Sequence, residues 1–391
     1  MTDKLTTDKT TSYHRIVVKI GSSTLTDASG RVDSAFIQSL ATQIHQLTSE
    51  LGAQVLIVTS GAITAGLEAL GFGLARPADL PTLQAAAAVG QLRLAQQYVQ
   101  ACAAWDLSLG QILLTRYDTE HRQSYLHARD TLERLLELGV IPLINENDTV
   151  AVDEIRFGDN DTLAAQVAIL VKADLMVILS DIDGLYTADP RRDEDATLLA
   201  AIGSFTQEIL AAAGSAGTLK GSGGMVTKLE AARLCMAAGI PMVICEGHQP
   251  DVLMAVARNQ SLGTRFAADV THSHSARKLW QALAGQIQGA LYIDAGAERA
   301  LRERGSSLLP VGIRRVEGDF GAGAVVDIRN LEGLTIGRGL ANYAAATLAQ
   351  AAGHNSQELI DAATAGHTKP LTSGPSAAQV AIHRDQLVVF Y

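Results

Sequence analysis

The chain has 391 residues, 47% hydrophobic and 18% charged, with a net charge of −10. That is enough apolar material for two or three domains with large cores, and it excludes disorder as the global state. No run of about 18 apolar residues occurs and the polar stretch 1–15 has no apolar signal core, so a cytoplasmic protein without a membrane span is expected.

From the amino terminus, β-rich apolar runs at 16–20, 55–58, 109–114, 140–144, 175–179 and 240–244 alternate with helix-like stretches such as 83–105 and 164–171. Apolar strands that are continuous rather than alternating predict a mainly parallel sheet sandwiched by helices. Ligands in such α/β folds bind beyond the carboxyl ends of the strands. Four runs end abruptly in polar or small residues: Lys19-Ile20-Gly21-Ser22-Ser23, Thr59-Ser60-Gly61-Ala62, Asn145-Glu146-Asn147-Asp148 and Ser180-Asp181. These junctions are where chemistry is expected.

Lys19 ends a strand before small residues whose N–H groups let an anion approach, although an edge lysine beside a turn has the same pattern. A second lysine closes Gly221-Ser222-Gly223-Gly224-Met225-Val226-Thr227-Lys228, a glycine-rich turn that enters a helical pattern and suits phosphate. The Gly-Lys dipeptide of a P-loop is absent, so a P-loop nucleotidase is not supported. Asn145 to Asp148, with Gly158-Asp159-Asn160-Asp161, could hold an ammonium group, a magnesium ion or a pair of lysines. Read singly, Asp161 could equally be a helix cap and Asp159 a turn residue. Leu185-Tyr186, inside 180–190, reads either as a wall for a planar ring or as part of a surface turn. His272 and His274 lie close in sequence without an evident third ligand, and Cys102, Cys235 and Cys245 lack C-x-x-C spacing, so neither a metal site nor a disulfide is expected.

After Phe266 the pattern changes. Residues 267–286 read as a connector, and a small β-barrel-like module begins near Ile287, with strand candidates at 291–294, 312–316, 324–328 and 334–337 and a polar tail after about Ser356. Residues 1–275 carry 31 acidic and 20 basic side chains, against 10 and 11 in 276–391. The long acidic part repels nucleic acid, so an anionic substrate there needs a few local cations.

Taken in order, the strand ending at Lys19, Thr59-Ser60-Gly61-Ala62-Ile63, Ile144 to Asp148, Phe157 to Asp161, Gly184 to Pro190 and Gly223 to Lys228 resemble the glutamate 5-kinase family of the amino-acid kinase superfamily. The stretch Glu303 to Ile313, with Asn330-Leu331-Glu332-Gly333, is similar to the PUA domain of its bacterial members. The resemblance covers nearly the whole chain. It implies an amino-acid kinase domain over 1–266, a linker over 267–286 and a PUA-like domain with a tail over 287–391.

The activity implied is ATP-dependent phosphorylation of the L-glutamate side-chain carboxylate, the first step of proline biosynthesis, with magnesium as cofactor. By the same resemblance Lys19 and Lys228 contact the transferring phosphate and Asp161 orients them. Ser60, Asp148 and Asn160 engage glutamate, with Asn145 and Asp159 beside them. Lys19, Ser180, Asp181 and Ser222, Gly223, Gly224, Met225, Val226, Thr227 and Lys228 line the ATP site, where Ser180-Asp181 replaces the commoner Thr-Asp. Inhibition by proline, a homo-oligomer and functional coupling to a glutamyl phosphate reductase are also implied. Two alternatives stay open: a kinase for aspartate or N-acetylglutamate, and RNA binding through the PUA-like part, whose only basic patch is Arg314-Arg315.

Overall fold

Runs such as Ile16-Val17-Val18, with no polar alternation, favour a strand buried on both faces. In the computed structural model of the protein the described residues are 13–27, 29–73, 76–150, 160–190, 192–215, 224–268, 274–283, 285–355, 358 and 380–390. The chain divides into two units. One comprises Met1–Gly203, Glu208–Cys235 and Ile240–Ala268, the other Asp269–Tyr391 with Ser204–Gln207 and Met236–Gly239.

In the first unit β1 (Arg15–Ile20), β2 (Gln54–Val58), β3 (Leu109–Leu114), β4 (Ile141–Glu146), β5 (Leu175–Ser180), β6 (Ala201–Ile202), β7 (Met242–Glu246) and β8 (Thr264–Phe266) form one sheet. Their order is β3-β4-β2-β1-β5-β7-β8-β6, and every pair is parallel except β7 with β8. All six apolar runs read from the sequence are strands. β2 follows β1 on one side of it, whereas the chain returns from β4 to place β5 on the other side, so a topological switch point lies between β1 and β5. Register brings the strand ends level: Lys19 stands opposite Val58 and Ile178, and Val58 opposite Ile144.

Helices α1 (Ser22–Leu25), α2 (Ser34–Leu51), α3 (Ala62–Ala69), α4 (Leu80–Ala103), α5 (Arg116–Glu120), α6 (Arg122–Glu137), α7 (Asn160–Leu170), α8 (Gln207–Ser215), α9 (Met225–Ala237) and α10 (Val252–Ala257) connect these strands. On one face Ile16, Val18, Ile57 and Val177 pack with Ile37, Leu40 and Ile44 of α2 and with Leu94 and Tyr98 of α4. α7 packs against β1, β2, β4 and β5 on the other. The three thiols are buried, which pushes Cys102 up to about 11 and Cys245 up to about 12, so they are inert packing groups.

Helices α3 and α4 meet backbone to backbone. A Cβ added at Gly66 would lie 1.7 Å from the Ala86 carbonyl oxygen, and one added at Gly90 would lie 1.8 Å from that of Ala62. Neither neighbour is a side chain that could rotate away. Gly90→Ala is therefore expected to force the helices apart, at a cost of about 1–3 kcal/mol or more. Equilibrium denaturation of the variant checks this, and an unchanged midpoint would show that the helices have slack.

The second unit holds a five-stranded sheet of β9 (Ile287–Ile293), β10 (Ile313–Glu317), β11 (Val325–Asn330), β12 (Thr335–Leu340) and β13 (Leu387–Val389), ordered β10-β9-β11-β12-β13. Leu291, Ile293, Val326, Ile328 and Ile336 form its core with Leu301 of α12 (Ala295–Arg304) and Leu348 of α13 (Ala345–Ala351). Two expectations need correction. The supposed connector 267–286 contains α11 (Ala276–Leu283), which buries Leu279 against this sheet by packing on β12 and β13. The supposed polar tail ends in β13, which pairs with β12. Short apolar segments flanked by Ser, Thr, Gly and His carry too little periodicity to be read as elements without the sheet edge that receives them. Arg314 pairs with Asp294 at 2.7 Å and Arg315 approaches Glu317 at 3.6 Å, so this short basic patch is locally neutralised.

Candidate active site

Every described residue of the site belongs to the first unit. β1 carries Lys19 to the carboxyl edge of the sheet, and α7 starts beside it with Asn160 and Asp161. The Lys19 Nζ lies 2.5 Å from Asp161 Oδ1, and the Lys228 Nζ, from the first turns of α9, lies 3.5 Å from Oδ2. The Thr227 hydroxyl donates to Oδ2 at 2.8 Å. Lys19, Asp161 and Lys228 are all buried. Burial works to raise the Asp161 pKa, but the ammonium groups of Lys19 and Lys228 and the hydrogen bonds it accepts outweigh that and hold it below the ordinary carboxylate range. Two ammonium groups share one carboxylate. The cluster thus sets two ammonium groups side by side at the switch point, where an anion can approach both.

Next to it lies a network of amides. Asn160 Nδ2 is 2.7 Å from the Thr59 carbonyl oxygen, 2.8 Å from Asn145 Oδ1 and 3.1 Å from Ser60 Oγ. Asn145 in turn donates through Nδ2 to Gln91 Oε1 at 2.7 Å, and its Oδ1 also accepts from the Glu146 backbone N–H at 2.9 Å. Ser60, Asn145, Asn160 and Asp148 line an open pocket whose wall includes Arg76 and Glu146. Gly61, at φ +89°, opens α3 in a left-handed conformation that glycine adopts without strain, and this turns the chain from β2 along the pocket wall.

The structure therefore groups the sequence-derived residues in two sets. Lys19, Asp161, Thr227 and Lys228 touch one another, Ser60, Asn145 and Asn160 touch one another, and the adjacency of Asn160 and Asp161 joins the sets. Ser180 and Asp181 end β5, bonded to each other at 3.1 Å. Gly224 precedes α9, Met225 is buried in it and Val226 is 61% exposed. Asp159, Ser222 and Gly223 lie outside the described residues, as does His272. Leu185 is buried, its N–H donating to the Thr264 hydroxyl, and Tyr186 beside it is half-buried. Sequence reasoning passed over Gln91, Tyr98 and Arg76. The first two are polar residues seven apart on α4, the spacing of one helix face, but only burial separates Gln91 from its neighbouring glutamines.

The sequence that builds this sheet and cluster matches a known family over most of its length. The sequence pattern described as "Amino acid kinase family" matches residues 14–246, and that of the "PUA domain" matches 289–362. "Glutamate 5-kinase" of Citrifermentans bemidjiense is 47% identical over 345 residues, 88% of this chain and 92% of that protein. "Glutamate 5-kinase" of Deinococcus radiodurans is 46% identical over 375 residues, 96% of this chain and 99% of that one. The chain belongs to the glutamate 5-kinases of the amino acid kinase family. Among solved structures, UMP kinase from Bacillus anthracis matches with a TM-score of 0.45 at 17% identity, over 66% of this chain and 97% of that one. No helix among the described residues is long and apolar enough to cross a membrane.

Proposed function

We propose that the protein transfers the γ-phosphoryl group of ATP to the side-chain carboxylate of L-glutamate, forming L-glutamyl 5-phosphate, the first step of proline biosynthesis. The observation that carries this reading is the contact of Lys19 and Lys228 with one buried carboxylate, Asp161, directly beside the amide-lined pocket. Phosphoryl transfer asks a protein for positioning and for neutralisation of charge on the transferring group, not for covalent chemistry. Asp161 holds the two ammonium groups together, and these are assigned to the phosphoryl oxygens. The nucleophile needs no general base, because a glutamate carboxylate with a pKa near about 4.3 is already ionised at neutral pH.

The pocket distinguishes an amino acid from a simple acid. Asp148 is assigned to the substrate α-ammonium, and Ser60, Asn145, Asn160 and Asp159 to the remaining polar groups of glutamate. Ser180, Asp181 and the segment from Ser222 to Lys228 are assigned to ATP. Both Asp161 oxygens are engaged by cations and a hydroxyl, and among the described residues no group of three or more acidic, His or Cys side chains is placed to hold a metal. This donor set fits magnesium that arrives on the nucleotide phosphates rather than in a protein cage. Carried in with the nucleotide, such an ion would supply neutralisation of phosphate charge, beside the ammonium groups of Lys19 and Lys228.

Proline shares the α-ammonium and α-carboxylate of glutamate, so its inhibition is assigned to Asp148 and Asn160. A homo-oligomer, delivery of the labile acyl phosphate to a reductase, a cytoplasmic location and a kinase domain over 1–266 belong to the same reading. The deciding experiment incubates purified protein with ATP, magnesium and glutamate, aspartate or N-acetylglutamate, with hydroxylamine to trap acyl phosphate. Hydroxamate with glutamate alone supports the reading, and hydroxamate only with another acceptor overturns the substrate.

A further inference from the structure

The orientation of the two pocket asparagines follows from partners whose roles are fixed. The Glu146 backbone N–H can only donate, so the Asn145 atom it meets at 2.9 Å is the carbonyl Oδ1. The Thr59 carbonyl can only accept, so the Asn160 atom 2.7 Å away is the amide Nδ2. Asn145 Oδ1 then accepts a second bond from Asn160 at 2.8 Å, and its own Nδ2 must find an acceptor elsewhere. Gln91 Oε1, at 2.7 Å, is that acceptor. With the two Nδ2 hydrogens taken by the Thr59 carbonyl and Asn145 Oδ1, and Ser60 Oγ at the longer 3.1 Å, the atom that Asn160 keeps for the pocket is its Oδ1, a carbonyl acceptor of the kind an ammonium group requires.

Gln91 is buried and is not part of the pocket wall. It reaches the pocket only through Asn145. The same helix supports the other end of the network, since the hydroxyl of the buried Tyr98 is 3.0 Å from Thr59 Oγ1, and burial pushes the Tyr98 phenol up so that it stays protonated. Helix α4 is in turn locked to α3 at Gly66 and Gly90, and Gln91 directly follows one of those contacts.

We infer that Gln91 is a positioning residue: its side-chain carbonyl fixes the Asn145–Asn160 amide pair in the orientation that presents an acceptor to the amino-acid substrate, and so sets the enzyme's affinity for that substrate without touching it. The inference rests on the glutamate reading above. Without the acceptor, the buried Asn145 Nδ2 loses the bond that orients the side chain, and the bond that Asn160 makes to its Oδ1 is less firmly held.

The test compares the full-length parent with Gln91→Met, which keeps the volume and removes the acceptor, and Gln91→Glu, which keeps an acceptor oxygen in place. KM for glutamate, KM for ATP, kcat and the melting temperature are measured for each. Gln91→Met is expected to raise KM for glutamate roughly tenfold, the worth of one buried hydrogen bond, with KM for ATP within about twofold of the parent and Gln91→Glu closer to the parent. An unchanged KM for glutamate in Gln91→Met overturns the assignment. So does a loss spread equally over both substrates and not relieved in Gln91→Glu, which is what general loosening of α4 would give. A parent that turns over a different acceptor and not glutamate overturns the substrate reading alone, and the same KM comparison with that acceptor then decides the role of Gln91.

Discussion

Lys19→Ala and Lys228→Ala are each expected to lower kcat by about 10² to 10³, the usual effect of removing one preorganised donor aimed at developing charge. The expectation follows from geometry. Both ammonium groups are buried, so water does not compete for them, and both are held on one carboxylate, so no reorganisation is needed when the phosphoryl group arrives. KM for glutamate is expected to change much less, because Ser60, Asn145 and Asn160 keep their bonds to one another in either variant. ADP release under saturating substrates provides the measurement. Turnover within a few-fold of the parent would remove that lysine from the transition state and leave it as a counter-ion for Asp161.

The two lysines are nearly symmetric about Asp161 but not equivalent. Lys19 sits on a central strand bonded to β2 and β5, whereas Lys228 lies in the first turn of helix α9.

Most of this site is legible in the sequence because the physics that makes it is local. A parallel strand must be apolar to its end, so Lys19, Thr59-Ser60, Asn145-Glu146 and Ser180 stand out where apolar runs stop, and the switch-point rule gathers those ends before any coordinate is known. Gln91 and Tyr98 are different. On a helix that also carries Gln84, Gln96, Gln97 and Gln100, nothing local marks one glutamine as a structural acceptor. Its role exists only because Gly66 and Gly90 bring α3 and α4 into backbone contact. Leu185 reads two ways for the same reason: its neighbours look like a turn, and only Thr264 on β8 shows that its backbone is bonded inside. The unread β13 depends on an edge of β12 that the chain reaches after a long polar interval.

Asp161→Asn is expected to cost both activity and stability, and the two losses should separate. The carboxylate is fully buried between two cations, and removing one partner of a buried ionic cluster typically costs about 3–5 kcal/mol because the remaining charges stay desolvated and repel each other. Activity should fall at least as far as in either lysine variant, since both ammonium groups lose their common anchor. The sign of the pH dependence is set by the lowered Asp161 pKa. A group titrating lower in the folded than in the unfolded chain contributes stability that is complete above the unfolded value of about 3.9 and is lost as pH falls through the folded value. The stability deficit of the variant should therefore stay constant from neutral pH down to about 5, and shrink only in stronger acid. Chemical denaturation at several pH values measures it. Adding Lys228→Met to Asp161→Asn removes one of the two cations that Asp161 held, and should recover part of the stability while leaving kcat at its floor. If the double variant is no more stable than Asp161→Asn, charge imbalance is not what the aspartate relieves, and its place at the head of α7 would have to be explained by packing alone.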